Sequence, residues 1–187
     1  MQAFGCAHLG AINAKGFAMT PEGNARLISD EGKQRFGYID TVGKMTVGIG
    51  RNLTDKGLSD QEIMFLYSND VTECTNDLHD NYSWFPKLTA VRQDVCINMR
   101  FNLGAGGFAE FKQMHAALAG ADFATAAVQL WNSQAARLLP NRYRRLYWAM
   151  LTGSWQGEAW EANGMQWPGD IGAGPVATGI VGSFAGA

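Results

Sequence analysis

Residues 20–50 read TPEGNARLISDEGKQRFGYIDTVGKMTVGIG, and a change of period inside this stretch decides the fold. Thr20-Pro21-Glu22 is a helix start: Thr caps, Pro is preorganised for the first helical position, and Glu suits the positive end of the helix dipole. Ala25 and Ile28 follow at helical spacing, and Gly32 can end the helix in a left-handed conformation. Glu31 then falls in the last turn, where a side chain can face a cleft instead of a core. Beyond it the pattern turns β-like. Phe36, Tyr38 and the run Met45–Ile49 are strand formers separated by the turn-like Asp40-Thr41-Val42-Gly43-Lys44. Gly37, Gly43, Gly48 and Gly50 punctuate this segment closely, which predicts a small twisted antiparallel sheet. Asp40 lies in its turn and Thr46 on the following strand.

Outward from this stretch the chain reads as helix. Ser59-Asp60-Gln61-Glu62 is a capping box, and Ile63, Leu66, Tyr67 and Val71 continue with helical period to about Asp80. Pro86 interrupts. Thr89 can cap Ala90 to Leu103, where Val91, Val95, Ile97, Met99 and Phe101 are too apolar for a surface helix; this predicts a central buried helix stopped by Gly104. Asp122 caps Phe123–Trp131, and Asn141–Leu151 forms a last helix rich in Arg and aromatics. The fold class is therefore α+β: a small antiparallel β lobe between an N-terminal helix and a larger helical lobe, with a cleft expected where the lobes meet.

Composition sets limits on function. The chain has 187 residues, 15 Lys+Arg against 17 Asp+Glu, and 47% hydrophobic residues, enough for a real core. Near-zero net charge argues against a nucleic-acid partner. Three Cys (Cys6, Cys74, Cys96) and three scattered His have no metal-ligand or disulfide pattern, so buried free thiols and no metal or cofactor are expected. No stretch approaches the roughly 18 apolar residues that span a bilayer, and the N-terminus lacks the pattern of a signal peptide. Glycine is over-represented at 23 residues, and the excess sits at the ends. Residues 1–20 hold three and residues 156–187 hold eight, and no Lys or Arg follows Arg145. Residues 21–155 are thus expected to form the domain, with 1–20 an N-terminal extension. Residues 156–187 read as a Gly-rich C-terminal extension that packs on the domain, because Trp160, Trp167 and Phe184 are costly to leave in water.

Glu31 and Asp40, on different elements, are the residue types that glycoside hydrolysis needs. One carboxyl must stay protonated for the leaving oxygen while the other stays ionised to activate water. Thr46 is placed to orient that water.

The surrounding residues carry a resemblance. Asp30-Glu31-Gly32, Tyr38-Ile39-Asp40-Thr41, Gly43, Thr46-Val47-Gly48-Ile49-Gly50 and Leu53 closely resemble the phage-type lysozymes, the muramidases of glycoside hydrolase family 24 (T-even phage lysozyme-like endolysins). Asn69-Asp70-Val71, Ala90-Val91-Arg92, Ile97-Asn98-Met99, Phe101, Gly104, Ala126-Ala127-Val128, Pro140-Asn141-Arg142, Arg145 and Thr152-Gly153-Ser154-Trp155 extend it in order over about residues 22–155. The resemblance implies a lysozyme-like two-lobed fold that hydrolyses the β-1,4 bond between N-acetylmuramic acid and N-acetylglucosamine in peptidoglycan. It implies inversion, with Glu31 as general acid, Asp40 as second carboxylate and Thr46 as water-placing residue. Arg142 is the implied partner of Glu31 and Arg145 that of Asp30. Leu53 and Phe101 match sugar-contacting positions, and Asn102 and Gln129 are candidates for hydrogen bonds to N-acetyl groups. An endolysin made in the host cytoplasm, acting on the periplasmic wall after membrane permeabilisation, is implied, as a monomer whose partner is the glycan strand.

Two departures stand out. Where the family usually has His after Gly50, this chain has Arg51, for which an Arg51–Asp70 pair is expected. The domain is also charge-balanced where relatives are basic, so steering toward an anionic wall is expected to be weak. Two rival readings are a lytic transglycosylase of similar fold, and a virion-associated or structural wall-binding protein that keeps the fold with little activity.

Overall fold

The computed structural model describes residues 19–155; the expected packing of 156–187 on the domain lies outside the described residues, as do Cys6, Trp160 and Trp167. The order is α1 (Pro21–Glu31), β1 (Gln34–Ile39), β2 (Met45–Gly48), β3 (Arg51–Asn52), α2 (Leu53–Lys56) and α3 (Asp60–Asn81). Then follow α4 (Ala90–Ala109), α5 (Lys112–Ala119), α6 (Phe123–Trp131), α7 (Gln134–Leu138) and α8 (Pro140–Thr152). A mostly helical chain with one small antiparallel sheet is α+β, as the sequence indicates. The chain divides into two compact units after Met64.

In the first unit, α1 begins as its sequence dictates: the Thr20 hydroxyl accepts from the Gly23 N–H at 3.1 Å, with Pro21 next in line. Its end differs in one respect. Gly32 has φ 72 but ψ 163, so it is not the left-handed cap of the expectation. That conformation is essentially reserved for glycine, and it feeds the chain straight into an extended strand. The sheet has order β1-β2-β3, all antiparallel, with an irregularity between Gln34 and Tyr38. α2, which shows no periodicity in so few residues, is fixed by side chains. Asn52 Oδ1 accepts from the Asp55 N–H at 2.9 Å, and Asn52 Nδ2 donates to Asp55 Oδ2 at 2.9 Å. The Thr54 hydroxyl accepts from the Met45 N–H at 2.9 Å, and Lys44 pairs with Asp55 at 2.8 Å, tying α2 to β2 and its turn.

The second unit holds the core. Leu78 of α3, Val95, Cys96, Met99 and Phe108 of α4, Leu130 and Trp131 of α6, and Tyr143, Leu146 and Met150 of α8 pack together, nearly or fully buried. The central buried helix is α4, and it breaks where the sequence puts its end. Gly104 adopts φ 71, ψ 172, after which the chain makes further helical turns to Ala109 and buries Phe108. Both Cys74 and Cys96 are free and buried. Trp84 and Trp131 are in the core, as are Tyr143, Tyr147 and Trp148 of α8.

Two arginines of α4 bind the helices together. Arg92 donates to the carbonyls of Met150 at 2.9 Å and Leu151 at 3.2 Å, meeting the negative end of α8, while its guanidinium lies 3.6 Å from the Phe123 ring centroid. Arg100 reaches α3, where its Nε donates to Asp77 at 2.5 Å and Glu73 lies 3.9 Å from Nη2. α6 and α7 start as capping rules require, Asp122 accepting from the Thr125 N–H at 3.0 Å and Ser133 from the Ala136 N–H at 3.1 Å.

Candidate active site

Glu31 is the last residue of α1 and is exposed, so neither helix geometry nor core packing consumes its carboxylate. What it lies against is backbone. A Cβ built on Gly50 would come within 2.5 Å of Glu31 Oε2, and Gly50 itself has φ 65. Glycine is therefore required twice over at this position, for its backbone conformation and for the close approach of a carboxylate oxygen. Gly50→Ala is expected to cost stability modestly, about 1–2 kcal/mol for the left-handed backbone. Because the clashing atom is the end of a flexible side chain, the larger effect is displacement of Glu31, seen as an activity loss of roughly tenfold or more. Melting curves and lysis rates measured together would show it; an unchanged lysis rate would contradict this role.

Asp40 is held by the turn it creates. Its Oδ1 accepts from the N–H of Lys44 at 2.8 Å and of Val42 at 3.0 Å, while its own N–H donates to the Lys44 carbonyl at 2.9 Å. Gly43 (φ 81) closes the loop by donating to the Asp40 carbonyl at 3.0 Å. The other carboxylate oxygen, Oδ2, faces the Thr46 hydroxyl at 3.3 Å. Thr46 is the buried polar side chain among the described residues, 4% exposed. The Lys44 N–H chiefly, with Val42, Thr46 and the charge of Lys44, holds the Asp40 carboxyl below the usual carboxylate range, against a smaller opposing push from burial. Asp40 is thus ionised across the neutral and mildly acidic range.

This arrangement has a chemical consequence. With its hydroxyl hydrogen directed at Asp40 Oδ2, Thr46 Oγ1 keeps its lone pairs free to accept. A water placed between Oδ2 and Oγ1 would donate one hydrogen to each and aim its own lone pair outward. The sequence-predicted trio Glu31, Asp40 and Thr46 all lie in the first unit, and Asp40 and Thr46 are in direct contact.

The supporting residues fall out less simply. Arg51, for which an Asp70 partner is expected from the sequence, has a carboxylate partner within its own unit: Arg51 Nη2 meets Glu62 Oε2 at 2.6 Å and Nε donates to the Gly57 carbonyl at 3.1 Å. The reason is the capping box. Ser59 and Glu62 bond reciprocally, with the Ser59 N–H at 2.7 Å and hydroxyl at 2.8 Å on the same Oε2, which fixes a carboxylate within reach of Arg51. Those Ser59 donors, with Arg51, hold the Glu62 carboxyl below its ordinary range. Asp70 is exposed on α3.

Leu53 is half-buried as the first residue of α2. Phe101, 43% exposed, tilts against Tyr67 with ring centroids 6.0 Å apart. It lines a cavity of about 470 Å³ with Tyr67, Asp94, Asn98, Arg142 and Trp155 among its walls. Asn102 accepts from the Tyr143 hydroxyl at 3.5 Å. Gln129 lines a different cavity, of about 760 Å³, with Leu103, Phe111, Lys112 and Gln134. The proposed sugar-contacting residues Phe101 and Gln129 are therefore placed on separate cavities of the helical unit. Arg142 is half-buried and bonded to Asn98; Arg145 and Asp30 are exposed on α8 and α1. Two features went unread in the sequence, the seat of Glu31 on Gly50 and the grip of Asn98 on Arg142, since neither contact is set by local spacing.

Among the described residues no group of three or more His, Cys, Asp or Glu is placed to hold a metal ion, and no helix is long and apolar enough to cross a membrane. A family model described as phage lysozyme matches residues 29–146. The chain belongs to the phage lysozyme family. The match spans nearly two-thirds of the chain and includes Glu31, Asp40, Thr46, Arg142 and Arg145. Membership in the phage lysozyme family carries the activity class: a glycosidase-type enzyme that degrades peptidoglycan.

Proposed function

We propose that this chain is an endolysin of the glycoside hydrolase family 24 type that cleaves the β-1,4 bond between N-acetylmuramic acid and N-acetylglucosamine with inversion, to lyse the host cell. The observation that carries the proposal is the contact of an ionised Asp40 with the Thr46 hydroxyl, a water-holding pair in the same unit as Glu31. Glu31 donates its proton to the glycosidic oxygen as the bond from the anomeric carbon breaks. Water attacks that carbon from the opposite face, passing its proton to Asp40; exchange with solvent then restores both groups. A carboxylate held below its usual range is a weak base. Asp40 therefore acts first by orienting water and by countering the positive charge that develops on the sugar, and takes the proton late.

Arg142 with Glu31 and Arg145 with Asp30 complete the reading as ion pairs that hold the acid. Leu53, Phe101, Asn102 and Gln129 are the substrate contacts. The enzyme works as a monomer, without metal or cofactor, and reaches the periplasmic wall once the membrane is permeabilised. The test is analysis of products from purified sacculi. Reducing muramic acid ends, released first as the α anomer, are expected. Ends of the 1,6-anhydro type would replace this reading by a lytic transglycosylase, and binding without release of fragments would replace it by a wall-binding protein.

A further inference from the structure

Strand β2 begins on a peptide group that is held at both ends. The peptide joining Lys44 to Met45 accepts from the Asp40 N–H through its carbonyl at 2.9 Å. It donates through its own N–H, that of Met45, to the Thr54 hydroxyl oxygen at 2.9 Å. A peptide group is planar with its N–H and C=O opposed, so fixing the direction of one fixes the other. Thr54 is itself carried on α2, whose place is set by the Asn52 cap and by the Lys44–Asp55 ion pair at 2.8 Å. All of these groups belong to the first unit.

The direction of that carbonyl matters because it competes for the Thr46 hydroxyl. Thr46 Oγ1 lies 3.3 Å from Asp40 Oδ2 and 3.5 Å from the Lys44 carbonyl oxygen, and a hydroxyl has one hydrogen to give. The carboxylate is the stronger acceptor by its charge, and the carbonyl is already engaged by the Asp40 N–H. Released from Thr54, the peptide is free to rock about the bonds that flank it, slacken its hold on the Asp40 N–H and take the hydroxyl hydrogen. Asp40 Oδ2 then loses its partner, and the water site between Oδ2 and Oγ1 loses its shape.

We propose that Thr54 is a positioning residue for the lysozyme reaction: by holding the Lys44–Met45 peptide it keeps the Thr46 hydroxyl directed at Asp40. This rests on the reading of Asp40 and Thr46 as the water-holding pair. Thr54 is exposed, and α2 buries none of its residues fully, so its side chain is not needed to fill a core. Its part is one accepted hydrogen bond, which acts on the water through the peptide and Thr46.

The test compares Thr54→Val, Thr54→Ser, Thr46→Val and Asp40→Asn with wild type, recording kcat and KM on soluble glycan strands, with thermal unfolding as a control. Thr54→Val keeps the shape and removes the acceptor, so kcat is expected to fall roughly three- to tenfold with KM and melting temperature little changed. Thr54→Ser keeps the acceptor and is expected to restore kcat to near wild type. Placed in the Thr46→Val background, Thr54→Val is expected to cost little more, since the hydroxyl it directs is gone. If Asp40→Asn and Thr46→Val both keep wild-type kcat, the water-holding pair is wrong, and the role of Thr54 falls with it. If those two are impaired while Thr54→Val keeps wild-type kcat, or raises KM alone as a sugar contact would, the pair stands and the positioning role is overturned. A loss of kcat that Thr54→Ser shares in full, or simple additivity with Thr46→Val, overturns it as well.

Discussion

Replacing Asp40 by Asn is expected to slow lysis by at least 10²-fold, the usual scale for a positioned acid–base group, while leaving the protein folded. The asymmetry of its two oxygens makes this a clean test. Oδ1 accepts the Val42 and Lys44 N–H groups, and an amide oxygen can do the same. Oδ2 faces the Thr46 hydroxyl, and there the amide presents a donor where the carboxylate presents an acceptor. The turn survives and the water site does not. Asp40→Ala removes both functions, so its melting temperature should drop below that of Asp40→Asn with activity equally low. Acid sensitivity follows from the same bonds. The folded-state pKa lies below its unfolded value, so the contribution of Asp40 to stability is present in full above the ordinary carboxylate range and is lost as pH falls through the depressed folded value. Asp40→Ala should flatten the acid side of the stability curve. Equal lysis rates for Asp40→Asn and wild type would remove Asp40 from the mechanism.

The second large effect is on stability. Arg100 keeps only 11% of its side chain exposed and is held by Asp77, itself 25% exposed, with Glu73 farther off. The Asp77 hydrogen bond is also the main reason the guanidinium holds its proton more tightly than usual, against the push of burial. Asp77→Ala leaves a largely desolvated cation with Glu73 and the Cys74 sulfur, 4.0 Å away, as remaining neighbours. The expected loss is about 2–3 kcal/mol. That is below the cost of breaking a fully buried pair, because Asp77 retains access to water. Urea unfolding should show a lower midpoint with unchanged slope. Combining Asp77→Ala with Arg100→Met should recover much of the loss, since the pair's cost of desolvation disappears with it. A double variant no more stable than the single one would mean that Arg100 stabilises by packing instead of by charge.

The sequence was most legible where several local signals agreed. α1, with Thr20, Pro21 and Gly32, and α3, with the Ser59–Glu62 box, are found where their caps put them. The buried character of α4 was readable because its apolar residues exceed one face, and so was its break at Gly104. Short elements were not. α2 and α7 have too few residues to show a period, and only Asn52 and Ser133 signal them, by caps that equally suit turns. α5 lacks even a capping side chain.

At the site, Glu31, Asp40 and Thr46 were nameable because they sit within one continuous stretch whose turn chemistry is local. The Glu62 partner of Arg51 went unread for a physical reason. Glu62 reads in sequence as satisfied by its capping box, yet one carboxylate oxygen serves Ser59 and Arg51 together. Asn98 and Arg142 are 44 residues apart, and no local pattern announces a hydrogen bond of that span.

The central claim is that Glu31 supplies the proton for hydrolysis of the glycan strand. Lysis of outer-membrane-stripped cells by wild type and Glu31→Gln, followed by turbidity with both proteins matched for folded concentration, tests it most directly. Glutamine keeps the shape beside Gly50 but has no proton to give, so the rate is expected to fall by roughly 10²–10⁴-fold with thermal stability nearly unchanged. Equal clearing by the two proteins would contradict the account.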